Sequence, residues 1–275
     1  MIAIVTDSSA YLTRQEARRM GVYMVPMSYT SDGHIFNETF VDGNGPFEKL
    51  VSSGRVFTTS QTMLSTFMST FEELLQKGYD IICLTISSRL SGTYSSASIA
   101  KHELGSERIH LVDTRSVAGG AYLLVREAVE LIASGLDALT IAEKLREMRE
   151  SIGIVFSVSD MGPLRRSGRL GIVRQSVGTI LNVRPMFQCV DGGVVSSGKA
   201  RGRNELIRQM ADCVSPNPKA LIVHNIADQK AARLLCEELA RRFPKVPLQM
   251  RSAGPVLGIH LGLGVCAVVW ESMPE

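Results

Sequence analysis

An apolar segment that runs directly into a hydroxyl-rich turn, within residues 81–98, constrains the fold more than any other feature of the sequence. Residues 81–86 are uncharged and partly β-branched, which is typical of a buried strand in a parallel sheet. Ser91, Gly92 and Thr93 follow, and they predict a helix that begins near Gly92. A helix start attracts anions, because its free amides and its dipole both favour negative charge. The segment therefore predicts an anion-binding site or, equally, a capped turn without a ligand.

Strands and helices alternate through the first half of the chain. The predicted strands are 2–5, 22–28, 81–86 and 109–112. Thr13 is the expected cap of a first helix that Gly21 ends, and Thr140 with Glu143 predicts a capping box for a later one. Residues 29–45 are predicted to be a hairpin or loop, and residues 56–62 a hydroxyl-rich loop. This alternation favours a parallel sheet with helices on both faces.

The pattern changes near residue 151. Asp191-Gly192-Gly193 lies between two strand-like segments, 184–190 and 194–200, which is a clear signal for a hairpin. Around the hairpin, helices are predicted at 171–181, 203–213 and 227–243, and strands at 153–159, 221–224, 246–251 and 265–271. We therefore predict an α/β protein of two α/β domains. Residues 1–150 would hold the parallel sheet, and residues 151–275 a mixed sheet with helices.

Composition and motif content argue against several classes of protein. No apolar run approaches the ~20 residues that span a bilayer, so no membrane span is expected. The first residues lack the features of a signal peptide, and the five cysteines are scattered, which favours a cytoplasmic protein with reduced thiols. The histidines are isolated and nucleotide-binding motifs are absent, so we expect no metal ion and no cofactor. We also expect no nucleic acid partner.

Positive charge is concentrated in residues 161–203. This segment has eight basic side chains and one acidic side chain, a formal charge of +7, whereas the rest of the chain carries −4. A solvated surface usually mixes both signs, so the segment predicts a face that meets something anionic. The basic residues are Arg165, Arg166, Arg169, Arg174, Arg184, Lys199, Arg201 and Arg203.

Polar residues recur where the predicted strands end. These groups are Asp7-Ser8-Ser9, Thr59-Ser60, Ser91-Gly92-Thr93 and Asp113-Thr114. Open parallel sheets bind ligands beyond the carboxyl ends of their strands, so we expect these loops to share one cleft.

A second informative stretch is 254–264, with four glycines and His260 as its sole titratable group. The glycines allow close approach of the backbone to a ligand, although a glycine-rich turn with a structural histidine fits equally. Ser91 with His260 as base would be a possible hydrolase pair, but the sequence has no GxSxG elbow.

These stretches together resemble the DegV family of bacterial fatty-acid-binding proteins. The matches run in order over nearly the whole chain. They are Ile4-Val5-Thr6-Asp7-Ser8-Ser9, Thr59-Ser60-Gln61, residues 86–96, Val112-Asp113, Ser167-Gly168-Arg169-Leu170, Leu181-Asn182-Val183-Arg184-Pro185, Asp191-Gly192, Arg201-Gly202-Arg203 and Gly258-Ile259-His260-Leu261-Gly262. A single motif would mean little, but the whole set in this order is specific for the family.

The resemblance implies that a long-chain fatty acid lies between the two domains. Carried over residue by residue, Thr59, Ser91 and His260 would bind its carboxylate. Ser60, Gly92, Thr93 and Arg169 would lie near the head group or a phosphate. The family serves as the lipid-carrying subunit of bacterial fatty acid kinase, in which a separate ATP-dependent subunit converts the carboxylate to an acyl phosphate for phospholipid metabolism. The chain would then not be catalytic by itself.

The basic segment is the expected docking face for such a kinase, through Arg165, Arg166, Arg201 and Arg203. The chain departs from the family pattern at four positions, which leave the shape of the pocket open but remove no head-group ligand. These positions are Tyr11, Thr62, Ser167 and Leu263. Two other functions stay open on the sequence: a small-ester hydrolase that uses Ser91 and His260, and a lipid carrier or regulator without a kinase partner.

Overall fold

A computed structural model describes residues 1–45, 47–170 and 182–273 of the chain. Its strands are β1 (Ile2–Asp7), β2 (Val22–Val25), β3 (Ser28–Ser31), β4 (His34–Asn37), β5 (Thr58–Ser60), β6 (Asp80–Thr85), β7 (Ile109–Asp113), β8 (Ile152–Ser157), β9 (Val183–Val190), β10 (Gly193–Arg201), β11 (Pro218–Ile226), β12 (Leu248–Ser252) and β13 (Val265–Ser272). Its helices are α1 (Arg14–Met20), α2 (Phe47–Ser52), α3 (Leu64–Gln76), α4 (Thr93–Leu104), α5 (Gly119–Ala133), α6 (Ala138–Met148), α7 (Met161–Arg166), α8 (Gly202–Asp212), α9 (Gln229–Arg242) and α10 (Pro255–Leu261).

The first half of the chain forms the predicted parallel sheet, in the order β2-β1-β6-β7. Side chains of β6 alternate between its two faces. Ile81 and Cys83 pack with α3 and α4, whereas Ile82 and Leu84 pack with α5 and α6. A buried strand of this kind needs apolar residues on both faces, which explains its uninterrupted hydrophobic sequence.

The second half forms a six-stranded mixed sheet in the order β10-β9-β8-β13-β11-β12. Its neighbouring strands are antiparallel except for β11 and β12, which are parallel. The predicted hairpin is confirmed, because β9 and β10 pair across Asp191 and Gly192. Both turn residues have positive φ angles, 48° and 76°, as the favoured two-residue hairpin turn requires. Helices α8 and α9 cover the outer face of this sheet.

Helix α5 lies between the two sheets and joins their cores. Leu123 and Leu124 belong to a cluster that contains Ile82 of the parallel sheet and also Ile222 and Val269 of the mixed sheet. The layers are therefore α3 and α4, the parallel sheet, α5, the mixed sheet, and α8 with α9. This arrangement is the α/β fold that the sequence predicts.

The structure also differs from the prediction in several places. Residues 29–45 contain the predicted hairpin, formed by β3 and β4. Within 56–62, however, β5 adds to this hairpin to give a third, antiparallel sheet in the order β4-β3-β5, so Thr59 lies on a strand rather than in a loop. Strand β2 ends at Val25, because Pro26 cannot donate to a sheet ladder. Helix α6 is capped by Asp137 and not by Thr140, whose N–H donates to the Asp137 carboxylate at 3.0 Å. The predicted helix 171–181 lies outside the described residues.

The cap of α1 is as predicted. Thr13 and Glu16 form a reciprocal capping box, and Gly21 ends the helix with a φ of 66°. In the part of the chain that the structure describes, no helix has the length and apolar character to cross a membrane.

Candidate functional site

A cavity of about 360 Å³ lies between the two sheets, beside the first turn of α5. Most of its lining is apolar and comes from both halves of the chain. Representative side chains are Ile86 and Leu90 from the first half, and Ile154, Phe156, Leu261 and Val269 from the second. A largely apolar cavity of this kind suits a hydrophobic ligand that is removed from water.

One end of the cavity is polar and reaches the surface. Its lining includes Thr59, Ser60, Gln61, Ser91, Gly92, Arg169 and His260. Of these, Ser60, Gln61 and Arg169 are exposed to solvent, and the others are partly buried. We call this region the polar end. It brings together residues from four distant segments: strand β5 with Gln61 after it, the turn before α4, the segment after α7, and helix α10.

The closest pair at the polar end joins Thr59 and His260. Thr59 Oγ1 and His260 Nε2 are 2.7 Å apart, although the residues are separated by 201 positions in the sequence. The pKa of His260 is lowered to about 4, mainly by burial and in addition by the nearby positive charge of Arg169. The ring is therefore neutral near pH 7, so it acts through hydrogen bonds rather than as a cation.

Ser91 and Thr93 form the second polar pair, at the start of α4. Their hydroxyl oxygens are 2.9 Å apart, and the Thr93 N–H donates to Ser91 Oγ at 3.3 Å. Thr93 is fully buried and accepts a hydrogen bond from the Thr62 N–H at 3.4 Å. It thus lies behind the cavity wall and holds Ser91 in place, whereas Ser91 itself lines the cavity.

Gly92 lies directly against the side chain of Gln61. A Cβ atom at position 92 would overlap the Gln61 Oε1 atom, so Gln61 would have to move. Gln61 is held where it is by a 2.8 Å hydrogen bond from its amide nitrogen to Ser96 Oγ. The close approach seen at Gly92 is therefore to Gln61, whereas the sequence predicts an approach to a ligand.

The predicted basic residues separate into two groups. Arg169 lines the cavity, and its guanidinium donates to the Leu90 carbonyl oxygen at 3.2 Å. Arg165, Arg166 and Arg201 are exposed and lie outside the cavity lining. Arg203 is partly buried and forms a 3.8 Å ion pair with Asp228.

The predicted strand-end loops meet at the cavity only in part. Ser9, Thr59 and Ser91 line it, as expected. Asp113 instead accepts hydrogen bonds from the Ser88 N–H and side chain and from the Arg115 N–H. Thr114 donates to the Thr85 carbonyl oxygen at 2.7 Å, so this loop serves the fold rather than the cavity.

Glu38, which the sequence does not indicate, anchors the helix that carries His260. It is fully buried, and its carboxylate accepts hydrogen bonds from the Val256 N–H at 2.9 Å and from the Ser8 hydroxyl at 2.7 Å. Burial raises the pKa of Glu38 to about 7, and the nearby charge of Asp7 contributes in the same direction. The Leu257 N–H donates to the Tyr11 hydroxyl at 3.3 Å and adds a second tie.

Two glycines of the 254–264 stretch permit close packing of α10, as the sequence suggests. A Cβ atom at Gly254 would lie 2.5 Å from Glu38 Oε1, and one at Gly258 would overlap the ring of Phe47. The stretch is a helix with a partly buried histidine rather than a simple glycine-rich turn.

Ala118 is strained at the inner wall of the cavity. It lies immediately before α5 with φ 53° and ψ −125°, a conformation that costs a residue with a side chain about 1–3 kcal/mol. Its N–H donates to the Ser9 carbonyl oxygen at 2.9 Å, which ties α5 to the loop after β1.

Among the described residues, no cluster of three or more His, Cys, Asp or Glu side chains could hold a metal ion.

A family model described as an uncharacterised protein of the DegV family matches residues 1–273. The chain belongs to the DegV family. A DegV domain-containing protein of Halalkalibacterium halodurans is 33% identical to it over 98% of both chains.

Several solved DegV structures share the fold and have more than 25% of their residues identical to this chain, including the following two. One, from Thermus thermophilus, is described as a fatty-acid-binding DegV family protein, with a TM-score of 0.86, 28% identity and 99% coverage of both chains. The other is DegV of Bacillus subtilis, described as a fatty acid binding protein. It has a TM-score of 0.83, 27% identity and 99% coverage of both chains.

Proposed function

We propose that this DegV family chain binds one long-chain fatty acid in the cavity, with the carboxylate at the polar end and the acyl chain along the apolar wall. The observation that carries the proposal is this division of a single cavity of about 360 Å³ into one polar end and a largely apolar remainder. Fatty acid binding by the relatives from Thermus thermophilus and Bacillus subtilis supports it.

Thr59, Ser91 and His260 are the proposed carboxylate ligands. A carboxylate has about four acceptor positions. The Ser91 hydroxyl can fill one, and the Thr59–His260 pair, whose mutual contact uses one of its two protons, can fill a second. Arg169 supplies positive charge beside the neutral His260, and charge-assisted hydrogen bonds are the stronger kind. Ser60 and Gly92 border the head group, and Thr93 orients Ser91.

We propose further that a separate ATP-dependent kinase subunit phosphorylates the bound carboxylate. A carboxylate oxygen would attack the terminal phosphorus of ATP, releasing ADP and leaving an acyl phosphate for phospholipid synthesis in the cytoplasm. The exposure of Ser60 and Arg169 supports this step, because it leaves the polar end accessible to another protein. Arg165, Arg166, Arg201 and Arg203 are the proposed docking residues.

The geometry supports a hydrolase less well. Ser91 Oγ contacts Thr93, and His260 contacts Thr59, so the candidate nucleophile and base each have a different partner. Nucleophilic catalysis needs the two within hydrogen-bond reach of each other. A lipid carrier without a kinase would have the same cavity, and it is distinguished only by an assay that contains the kinase.

We also propose a division into two domains near residue 150. Each half of the chain contributes a complete sheet, with β7 ending at Asp113 and β8 beginning at Ile152. Helix α6 ends at Met148, and one short turn, Arg149–Ser151, leads from it to the second sheet. Under this proposal the fatty acid lies between the domains.

Lipid extraction followed by mass spectrometry tests the binding proposal. Purified chain should release about one fatty acid per molecule, and stripped protein should take up added palmitate. Ala267→Leu places a larger side chain on the cavity wall and should reduce uptake. Val195→Leu, on an exposed position of β10, is the matched control and should not. Lipid-free protein that also fails to take up palmitate would refute the proposal.

A further inference from the structure

A buried histidine without hydrogen bonds lines the cavity outside the polar end. His224, on β11, is 4% exposed, and neither Nδ1 nor Nε2 has a hydrogen-bond partner. The backbone of Arg251 and Ser252 lies beside the ring and affects its pKa, but neither residue completes a hydrogen bond of normal geometry. Buried polar groups are nearly always paired, so this ring is poised for a partner that enters the cavity.

The first turn of α5 faces the same ring. A Cβ atom at Gly119 would be 2.9 Å from His224 Nε2, so the imidazole packs directly against the helix start. Ala118, which also lines the cavity, is the capping residue, and no side chain caps the helix. Since α5 has 15 residues, its first amides carry a well-developed positive partial charge.

The chemistry of this place favours an uncharged polar group. Burial lowers the pKa of His224 to about 4, and the charge of Arg251 acts in the same direction. The neutral ring offers one donor and one acceptor. Arg251 is already paired with Glu16, so a buried anion here would lack a counter-charge of its own. A hydroxyl group, which both donates and accepts, fits better than a carboxylate.

We propose that His224 and the first turn of α5 recognise a hydroxyl group on the acyl chain, so that the preferred ligand is a hydroxylated long-chain fatty acid. This inference rests on the proposed function, because it takes the acyl chain to lie along this wall. The hydroxyl would donate to the unprotonated imidazole nitrogen and accept from the ring N–H or a helix amide. An unsubstituted chain would leave both ring nitrogens of His224 unpaired.

Binding of stearate and of its monohydroxylated positional isomers to stripped protein tests the proposal. The wild-type chain should bind at least one isomer about tenfold more tightly than stearate, the gain of roughly one net hydrogen bond. In His224→Leu that preference should vanish while stearate binds at least as well as before. Val195→Leu, at an exposed position of β10 outside the cavity lining, should keep the preference.

Each outcome decides one question. If stearate itself fails to bind, the proposed function is wrong. If stearate binds and no isomer binds the wild type more tightly than stearate does, the inference is wrong. It is also wrong if His224→Leu keeps the preference. His224→Gln, which keeps a donor and an acceptor, should retain part of the preference and serves if the leucine variant does not fold.

Discussion

The guanidinium of Arg251 donates two hydrogen bonds to the carboxylate of Glu16, at 2.6 and 2.7 Å, across 235 positions of the chain. Arg251 is on β12 of the mixed sheet, whereas Glu16 is on α1 beside the parallel sheet. The same guanidinium lies 3.9 Å from the ring centroid of Tyr122 on α5 and donates to the Tyr11 carbonyl oxygen at 3.0 Å. One side chain therefore connects both sheets and the helix between them.

Replacement of Arg251 by methionine should destabilise the fold. The variant keeps apolar packing but leaves the half-buried Glu16 carboxylate without its partner, which we expect to cost roughly 2–4 kcal/mol. Arg251→Lys should recover only part of the loss, because an ammonium cannot form the two-pronged contact or stack as well on Tyr122. Urea unfolding measures the free energy of unfolding of the methionine and lysine variants. A methionine variant as stable as the wild type would contradict the prediction.

The same pair should make stability depend on acid pH. Burial alone would raise the pKa of Glu16, but the hydrogen bonds and charge of Arg251, with those of Thr13, lower it to about 2. A lowered carboxyl pKa stabilises the fold above the unfolded value of 4.5, and the benefit disappears as pH falls toward 2. The stability difference between wild type and Arg251→Met should therefore shrink over this range. A constant difference would show that only packing is lost.

Glu38 should have the opposite pH dependence. Its pKa is raised from 4.5 to about 7, mainly by burial, so the folded state favours the protonated carboxyl. Its contribution is complete below pH 4.5 and is lost as pH rises through 7. Glu38→Gln cannot ionise and can keep hydrogen bonds to Ser8 and to the Val256 N–H. Its stability relative to wild type should thus increase by up to about 2–3 kcal/mol between pH 4.5 and 7.5.

The stability of Glu38→Gln must be compared with that of the wild type at each pH separately. His224 and His260, with pKa values lowered to about 4, make the fold less stable as pH falls from 6.5, and this partly masks the effect of Glu38 in the wild type. Thermal unfolding of both proteins from pH 4.5 to 8 supplies the difference. A variant whose relative stability does not change with pH would show that Glu38 titrates normally.

Loss of a carboxylate ligand should weaken fatty acid binding without unfolding the chain. Ser91→Ala should weaken palmitate binding by roughly 1–3 kcal/mol, the range for a hydrogen bond to a charged group. Thr59→Val should act similarly, whereas Thr59→Ser keeps the hydroxyl and should bind nearly as wild type. Titration of stripped protein with palmitate measures each. If Ser91→Ala binds palmitate with unchanged affinity, Ser91 does not bind the carboxylate and serves only as a helix cap that contacts Thr93.

Exposed arginines outside the cavity should affect kinase coupling and not lipid binding. Arg166→Glu and Arg201→Glu each reverse a charge on an exposed side chain, and both should slow phosphorylation of bound fatty acid by the kinase subunit. Arg203→Glu is a less clean probe, because Arg203 already pairs with Asp228. Raising the salt concentration should slow the wild type too, since exposed charges are screened beyond ~8–10 Å. Unchanged rates at every salt concentration would exclude these residues as a docking face.

Local patterns in the sequence predict much of this fold. The apolar run 81–86, the Thr13–Gly21 helix and the Asp191-Gly192 hairpin each contain their own signal, and all three form as expected. The sequence also indicates Thr59, Ser91 and His260, which the structure brings to one end of a cavity.

Long-range contacts account for what the sequence does not reveal. Glu38 lies in a segment without periodicity, and its role depends on Val256, 218 positions away. His224 is part of an apolar strand that would be buried in any arrangement, so its lack of a hydrogen-bond partner becomes visible only in three dimensions. The strand that holds Thr59 is not evident for a similar reason, because β5 pairs with β3 across the intervening β4 and α2.

The 2.7 Å contact between Thr59 and His260 has a consequence for biosynthesis. A ribosome that adds about 5–20 residues per second needs roughly 10–40 s to pass from the first of these residues to the second. Until α10 is added, the nascent chain lacks His260 and with it one side of the polar end. Under the proposed function, a fatty acid carboxylate would meet only some of its ligands during this time. We therefore expect a fatty acid to be bound after translation rather than during it.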